Sequence, residues 1–327
     1  MRGIVDFSWL SENRLQAKLW FLIRPSTSKN QQLFSMPLIF HKTPALVVYV
    51  TCGDPDLATT REIVLAAIEA GADVIELGVP FSDPVADGPV IQRASERALK
   101  HGTSLGQVLK LAAEIREQAQ STGLIVFSYL NPILRMGLEK FCTVTRHAGL
   151  DGALLTDLPV EEAGPYLREM RQSDLATIFL AAPTSTDERL KRVAEASTGF
   201  VYAVSRTGVT GARQQLAGDA KTLVRRLRKY TKLPVAVGFG ISTAEQFAEV
   251  GEFADAAVVG SAIVETIERN RGREAAAVGE FVGKLSALSF SPRQHDAGRS
   301  PYAREVEDYS VDWFLLRAEG WPLRAAF

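Results

Sequence analysis

LVVYVTCGDPDLATTREIVLAAIEAGADVIELGV, residues 46–79, reads as one complete strand–helix–strand unit. LVVYVT (46–51) and DVIELGV (73–79) are short runs rich in β-branched and apolar residues. Between them DLATTREIVLAAIEAG (56–71) carries apolar residues at helical spacing, with Asp56 placed to cap its start and Gly71 to end it. The pattern continues along the chain. LIVFSY (124–129), GALLTD (152–157), ATIFLA (176–181), FVYAVS (200–205), PVAVGFG (234–240) and AAVVGSA (256–262) supply six more apolar runs. Amphipathic stretches follow at 104–119, 131–149, 159–171, 186–196, 219–230, 243–250 and 262–286. Continuous apolar strands separated by helices describe a parallel sheet covered on both faces. An open doubly wound sheet would offer a GxGxxG turn after its first strand, and TCGDPD (51–56) is not one. Eight units in order predict an α/β fold, a closed (β/α)8 TIM barrel, over residues 44–288.

The 327 residues are 46% hydrophobic and 23% charged, which excludes a disordered or fibrous chain. Basic and acidic residues number 37 and 38, so no bulk charge draws the chain to nucleic acid. No apolar run reaches the length of a membrane span, and the first thirty residues do not read as a signal peptide. Cys52 and Cys142 make neither a disulfide framework nor a CxxC zinc pair, and a cytoplasmic location is expected. Residues 1–43 and 289–327 lie outside the repeating pattern and are expected to be extensions. All four tryptophans (Trp9, Trp20, Trp313, Trp321) fall in them.

In such barrels chemistry sits where strands end. Alternation along strand 2 puts Ile75, Leu77 and Val79 on one face and Val74, Glu76 and Gly78 on the other. The apolar set faces the helices, so Glu76 points into the barrel, where desolvation suits it to proton transfer. A structural ion pair is the bland alternative, but no Lys or Arg lies on the inward faces of neighbouring strands. The next loop, GVPFSDPVADGP (78–89), is stiffened by three prolines and carries Asp83 and Asp87. Asp87 is placed to return opposite Glu76. Turn capping, or a shared magnesium, are the competing readings. A metal site needs more oxygen ligands than the sequence supplies, and none is expected.

GFGIS (238–242) and GSA (260–262) put glycine at two adjacent strand ends before helices, a pattern suited to an anion. SRTGVTGARQQLAG (205–218) reads as a lid, with Gly211 offering its backbone to phosphate, or as an ordinary loop. Tyr129 and Tyr202 read as cavity lining or as core. Asp157 reads as cavity lining or as a helix cap. Cys52 reads as a small buried hydrophobe. His41, His101, His147 and His295 lie away from strand ends, and the chain holds no P-loop or HExxH.

ELGVPFSDPVADGP (76–89) closely resembles the signature of the tryptophan synthase alpha subunit. YVTCGDP (49–55), TDLPVEE (156–162), YAVSRTGVTGAR (202–213), GFGIS and VVGSAI (258–263) agree in family order. The resemblance implies a lyase of tryptophan biosynthesis that cleaves indole-3-glycerol phosphate to indole and glyceraldehyde 3-phosphate. It makes Glu76 the general acid/base and Asp87 the carboxylate that accepts the indole N–H. Tyr49, Tyr129 and Tyr202 match substrate-lining positions, and Gly211, Gly240, Gly260 and Ser261 match the phosphate site. No cofactor is implied in this chain. The implied partner is a beta subunit that carries pyridoxal phosphate, in an αββα assembly. The other readings are a catalytically idle subunit that activates the partner, and another phosphate-binding barrel lyase or isomerase. The extensions depart from the family: MPLIFHKTPAL from Met36 is a family-like lead-in, whereas 291–327 has no counterpart and includes an apolar DWFLLRAEGW (312–321).

Overall fold

The computed structural model describes residues 38, 40, 42–204, 213–238 and 240–289, without the side chains of 213–217. Gly211, the 205–218 lid and the segments 1–37 and 290–327 therefore lie wholly or partly outside the described residues. Eight parallel strands close on themselves in sequence order, β8 returning to β1. They are β1 (Ala45–Thr51), β2 (Val74–Gly78), β3 (Gly123–Ser128), β4 (Gly152–Leu155), β5 (Ala176–Ala181), β6 (Val201–Val204), β7 (Val235–Gly238) and β8 (Ala256–Val259). Among the described residues no helix is long and apolar enough to cross a membrane.

The expected alternation holds. Ile75 and Leu77 join the large apolar cluster between strands and helices, whereas Val74 joins an inner cluster with Val47, Ile125, Leu154, Ile178 and Ala236. Just before β1, Leu38 and Phe40 pack into that inner cluster. Phe40 lies 5.7 Å from Phe200, ring centre to ring centre. Leu38 rests on Gly123, where an added Cβ would come within 3.0 Å of its Cδ2. The lead-in thus closes the floor of the barrel with hydrocarbon.

The same floor is pinned by a device used four times. At 2.8 Å the N–H of Leu46 donates to Asp73 Oδ2, and at 2.7 Å that of Leu124 donates to Asp151 Oδ2. At 2.9 Å the N–H of Thr177 donates to Thr198 Oγ1, and at 2.6 Å that of Val235 donates to Asp255 Oδ2. Each acceptor precedes an even-numbered strand and holds the start of the strand before it. The N–H groups pinned in this way belong to the first two residues of their strands, where a buried donor needs a partner. Lys42, Arg116 and Arg228 pair with the three aspartates, so each carboxylate serves both a strand and a cation.

Helix boundaries follow local chemistry. Helix α1 (Leu57–Glu69) starts where Asp56 accepts the N–H of Thr59 at 2.8 Å, and its chain leaves through Gly71 at φ +104°. After β2 come α2 (Pro89–Lys100) and α3 (Leu105–Arg116). Alternation alone did not anticipate α2, because PVIQRASERALK is polar with few apolar positions. The stretch 131–149 is two helices, α4 (Leu130–Met136) and α5 (Leu138–His147), because Gly137 sits at φ +91° between them. Helix α6 (Gly164–Gln172) begins later than 159, with Pro165 in its first turn where a missing N–H costs nothing. Then come α7 (Asp187–Ala196), α8 (Arg213–Leu227) and α9 (Ala244–Gly251). The 262–286 stretch divides into α10 (Ser261–Arg269) and α11 (Glu274–Ser286) around Gly272, at φ +81°.

Candidate active site

Above the hydrocarbon layer the barrel interior turns polar. Glu76 stands beside Tyr49 in the β1–β2 register and is fully buried. Neither of its carboxylate oxygens has a hydrogen-bond partner among the described residues. Burial without compensation penalises the charged form and lifts its pKa to about 8. At neutral pH Glu76 therefore holds a proton it is able to give away.

Asp87 is the second carboxylate. The turn before it is tied by Asp87 N–H to Pro84 O at 3.0 Å, and Gln92 Nε2 donates to Asp87 O at 2.9 Å. Tyr129, at the end of β3, is the clamp. Its hydroxyl accepts the N–H of Ala86 at 2.9 Å and donates to Asp87 Oδ2 at 3.1 Å. Its ring stacks on Phe81 with centroids 4.8 Å apart. Desolvation raises Asp87 to about 6, and the Tyr129 bond works against that rise. The two carboxylates thus have separated proton affinities, with Asp87 ionised and Glu76 protonated at pH 7.

Tyr202, on β6, lies over Gly238 of β7, where an added Cβ would stand 2.5 Å from the phenol oxygen. Glycine is required by this close approach. Desolvation first, then the charges of Glu76, Tyr49 and Asp87, hold the Tyr202 phenol well above its ordinary range. Tyr49 answers to Asp87 and Glu76 in the same way. Glu76 thus stands in register with Tyr49, and the charges of Glu76 and Asp87 are felt at both tyrosines.

The two glycine-rich strand ends are not equivalent. Helix α9 closes its own start: Thr243 accepts the N–H of Gln246, and Gln246 reaches back to the N–H of Thr243. Helix α10 begins at Gly260 with no side-chain cap, and Ser261 is exposed on its first turn. Its leading N–H groups are available to an anion. Gly240 is exposed at φ +59°, a conformation glycine takes without strain.

Asp157 is a helix cap: its Oδ1 accepts the N–H of Leu130 at 2.7 Å. Asp83 is exposed and bonded to Ser82, on the outer side of its loop. Cys52 is buried, and burial pushes its thiol far up. Among the described residues no group of three or more His, Cys, Asp and Glu is placed to hold a metal. Beside the mouth a groove of about 270 Å³ runs between β4, β5 and α7, past Leu180 and Arg189. No unpartnered buried polar atom lines it, whereas both carboxylate oxygens of Glu76 are buried and unpartnered.

One element of the rim escapes sequence reasoning. Asp54, buried in the loop after β1, takes a bidentate bond from Arg97 of α2 at 2.9 and 2.7 Å and a third from Arg271 at 3.2 Å. Arg97 also donates to Glu268 of α10 at 2.9 Å, where Arg93 joins it at 2.8 Å. Hydrogen bonding from Arg93 first, then the charge of both arginines, holds Glu268 down at about 2. Partners 43 and 171 positions apart leave no local signal.

Comparison with known proteins identifies the family. The tryptophan synthase alpha chain family matches residues 38–289. The tryptophan synthase alpha chain of Solibacter usitatus is 55% identical over 226 residues, 69% of this chain and 84% of that protein. That of Neisseria meningitidis serogroup B is 48% identical over 241 residues, 74% of this chain and 92% of its own. Among solved structures, the alpha subunit of Legionella pneumophila superposes with a TM-score of 0.70 at 35% identity, covering 75% of this chain and 92% of that one. A chain of tryptophan synthase from M. tuberculosis gives 0.68 at 35%, covering 75% and 93%. On this evidence the chain belongs to the tryptophan synthase alpha chain family.

Proposed function

We propose that this chain is an active lyase that cleaves indole-3-glycerol phosphate to indole and glyceraldehyde 3-phosphate. Family membership supports its role as the alpha subunit in tryptophan biosynthesis. The observation that carries the catalytic reading is the fully buried Glu76 with neither carboxylate oxygen partnered, its pKa lifted by burial above that of Asp87. Protonated Glu76 gives its proton to the ring carbon that bears the side chain. The nitrogen becomes more acidic as positive charge spreads onto the ring, and Asp87 accepts its N–H. The resulting Glu76 carboxylate takes the proton of the adjacent chain hydroxyl. The carbon–carbon bond then breaks, its electron pair returning to the ring as the aldehyde forms. Protons balance, and the chain's own groups supply them without a cofactor. Gly240, Gly260 and Ser261, with Gly211 outside the described residues, fit the phosphate, since α10 presents uncapped N–H groups there.

A beta subunit is the partner, and an αββα assembly with pyridoxal phosphate confined to the beta chain is our fuller proposal. Val85 is 81% exposed beside Asp87 and Leu134 is 54% exposed on α4, which puts apolar surface at the same rim. Both cysteines are free, in keeping with a cytoplasmic enzyme. The test is indole release from indole-3-glycerol phosphate, with and without a beta subunit. Wild-type protein is expected to release indole and Glu76→Gln to release none while still stimulating the partner. A wild type that never releases indole would favour the idle-subunit reading.

A further inference from the structure

We infer that Tyr49 determines specificity for the chain joining ring to phosphate, its phenol donating to a hydroxyl of that chain. The inference rests on the lyase reading above. Around the barrel wall the order is β8, β1, β2. Gly260, at the end of β8, opens the anion site, and β2 carries Glu76 and leads to Asp87. A substrate spanning them along this wall passes β1. There Tyr49 touches both neighbours. A Cβ added at Gly260 would lie 3.5 Å from Tyr49 Cβ, and one added at Gly78 would lie 2.5 Å from its hydroxyl.

The hydroxyl is held but not used up. Thr51 donates to its oxygen at 3.2 Å, in a buried pair. Among the described residues the one hydrogen bond at this hydroxyl arrives from Thr51, and neither Glu76 oxygen takes its proton. The ring packs edge-on against Phe127 with centroids 5.0 Å apart, a contact phenylalanine would make as well. Burying an oxygen costs free energy that a hydrocarbon ring avoids. A donor fixed by Thr51 between an anion site and a proton-transfer carboxylate recovers that cost when a polyhydroxylated chain binds.

Tyr49→Phe removes this one oxygen. We expect kcat/KM for indole-3-glycerol phosphate to fall about three- to tenfold, the loss of one neutral hydrogen bond. Affinity for indole-3-propyl phosphate, which has the ring and phosphate but no chain hydroxyls, should stay within about twofold. Thr51→Val should show the same selectivity with a smaller loss. An equal loss for both ligands would make Tyr49 merely structural, and no loss for either would overturn the inference alone. If the wild type itself releases no indole, the lyase reading fails, and the inference fails with it.

Discussion

The two ends of this barrel obey opposite rules. At the floor one device recurs four times, Asp73, Asp151, Thr198 and Asp255 each accepting an N–H from the first two residues of a neighbouring strand. Hydrocarbon from Leu38 and Phe40 fills the space behind them. At the mouth nothing repeats. Glu76 is left without partners, Asp87 hangs from a tyrosine, and one helix start is capped while its neighbour is open. A regular floor with these four donors met supplies stability, which lets the mouth keep groups in costly states.

If the division is real, mutations at the two ends should separate stability from turnover. Glu76→Gln should show the largest effect, with indole release falling about a thousandfold or more on loss of the acid/base. At pH 8 and above the same change should stabilise the fold. A carboxyl near pKa 8 when folded and 4.5 when unfolded adds stability that is full below pH 4.5 and lost as pH rises to about 8. Thermal unfolding at pH 8 should therefore favour Glu76→Gln, and a melt in which the variant unfolds earlier would contradict this. Asp151→Ala at the floor should do the reverse, leaving the buried N–H of Leu124 and the Arg116 cation without their shared partner. About 2 kcal/mol of stability should be lost in urea titrations, with kcat of the folded enzyme kept. A matching drop in kcat would mean the ends are not independent.

Smaller effects sharpen the mouth. The pH profile of kcat/KM should be a bell, rising through about 6 as Asp87 ionises and falling through about 8 as Glu76 loses its proton. In Tyr129→Phe the acid limb alone should move to higher pH, because the bond from Tyr129 opposes the rise of Asp87. A basic limb that moved with it would place Tyr129 on Glu76 instead.

Much of this was legible in the sequence where the signal is local. The apolar runs give all eight strands, and alternation through Val74, Glu76 and Gly78 places the carboxylate inside. The Pro-rich loop marks Asp87. What stayed hidden depends on pairing across the fold. The Tyr129 hydroxyl reaches Asp87 from 42 positions away, and Asp54, Arg97 and Glu268 meet from three separate elements. Helix α2 was masked by its polar composition. The division of 131–149 turned on Gly137, whose backbone sign no periodicity records. Asp157 read equally as cavity lining or as a cap, and it both accepts the N–H of Leu130 and lines the groove beside β4 and β5.

Arg97 has a mechanical consequence. By gripping Asp54 and Glu268 together, it joins the loop after β1, α2 and α10 into one stiff arc. That arc carries the approach to Asp87, the strand of Tyr49 and the open start of α10. The three groups proposed to contact substrate are thereby mounted on a single frame, which leaves little ordering to be done there on binding.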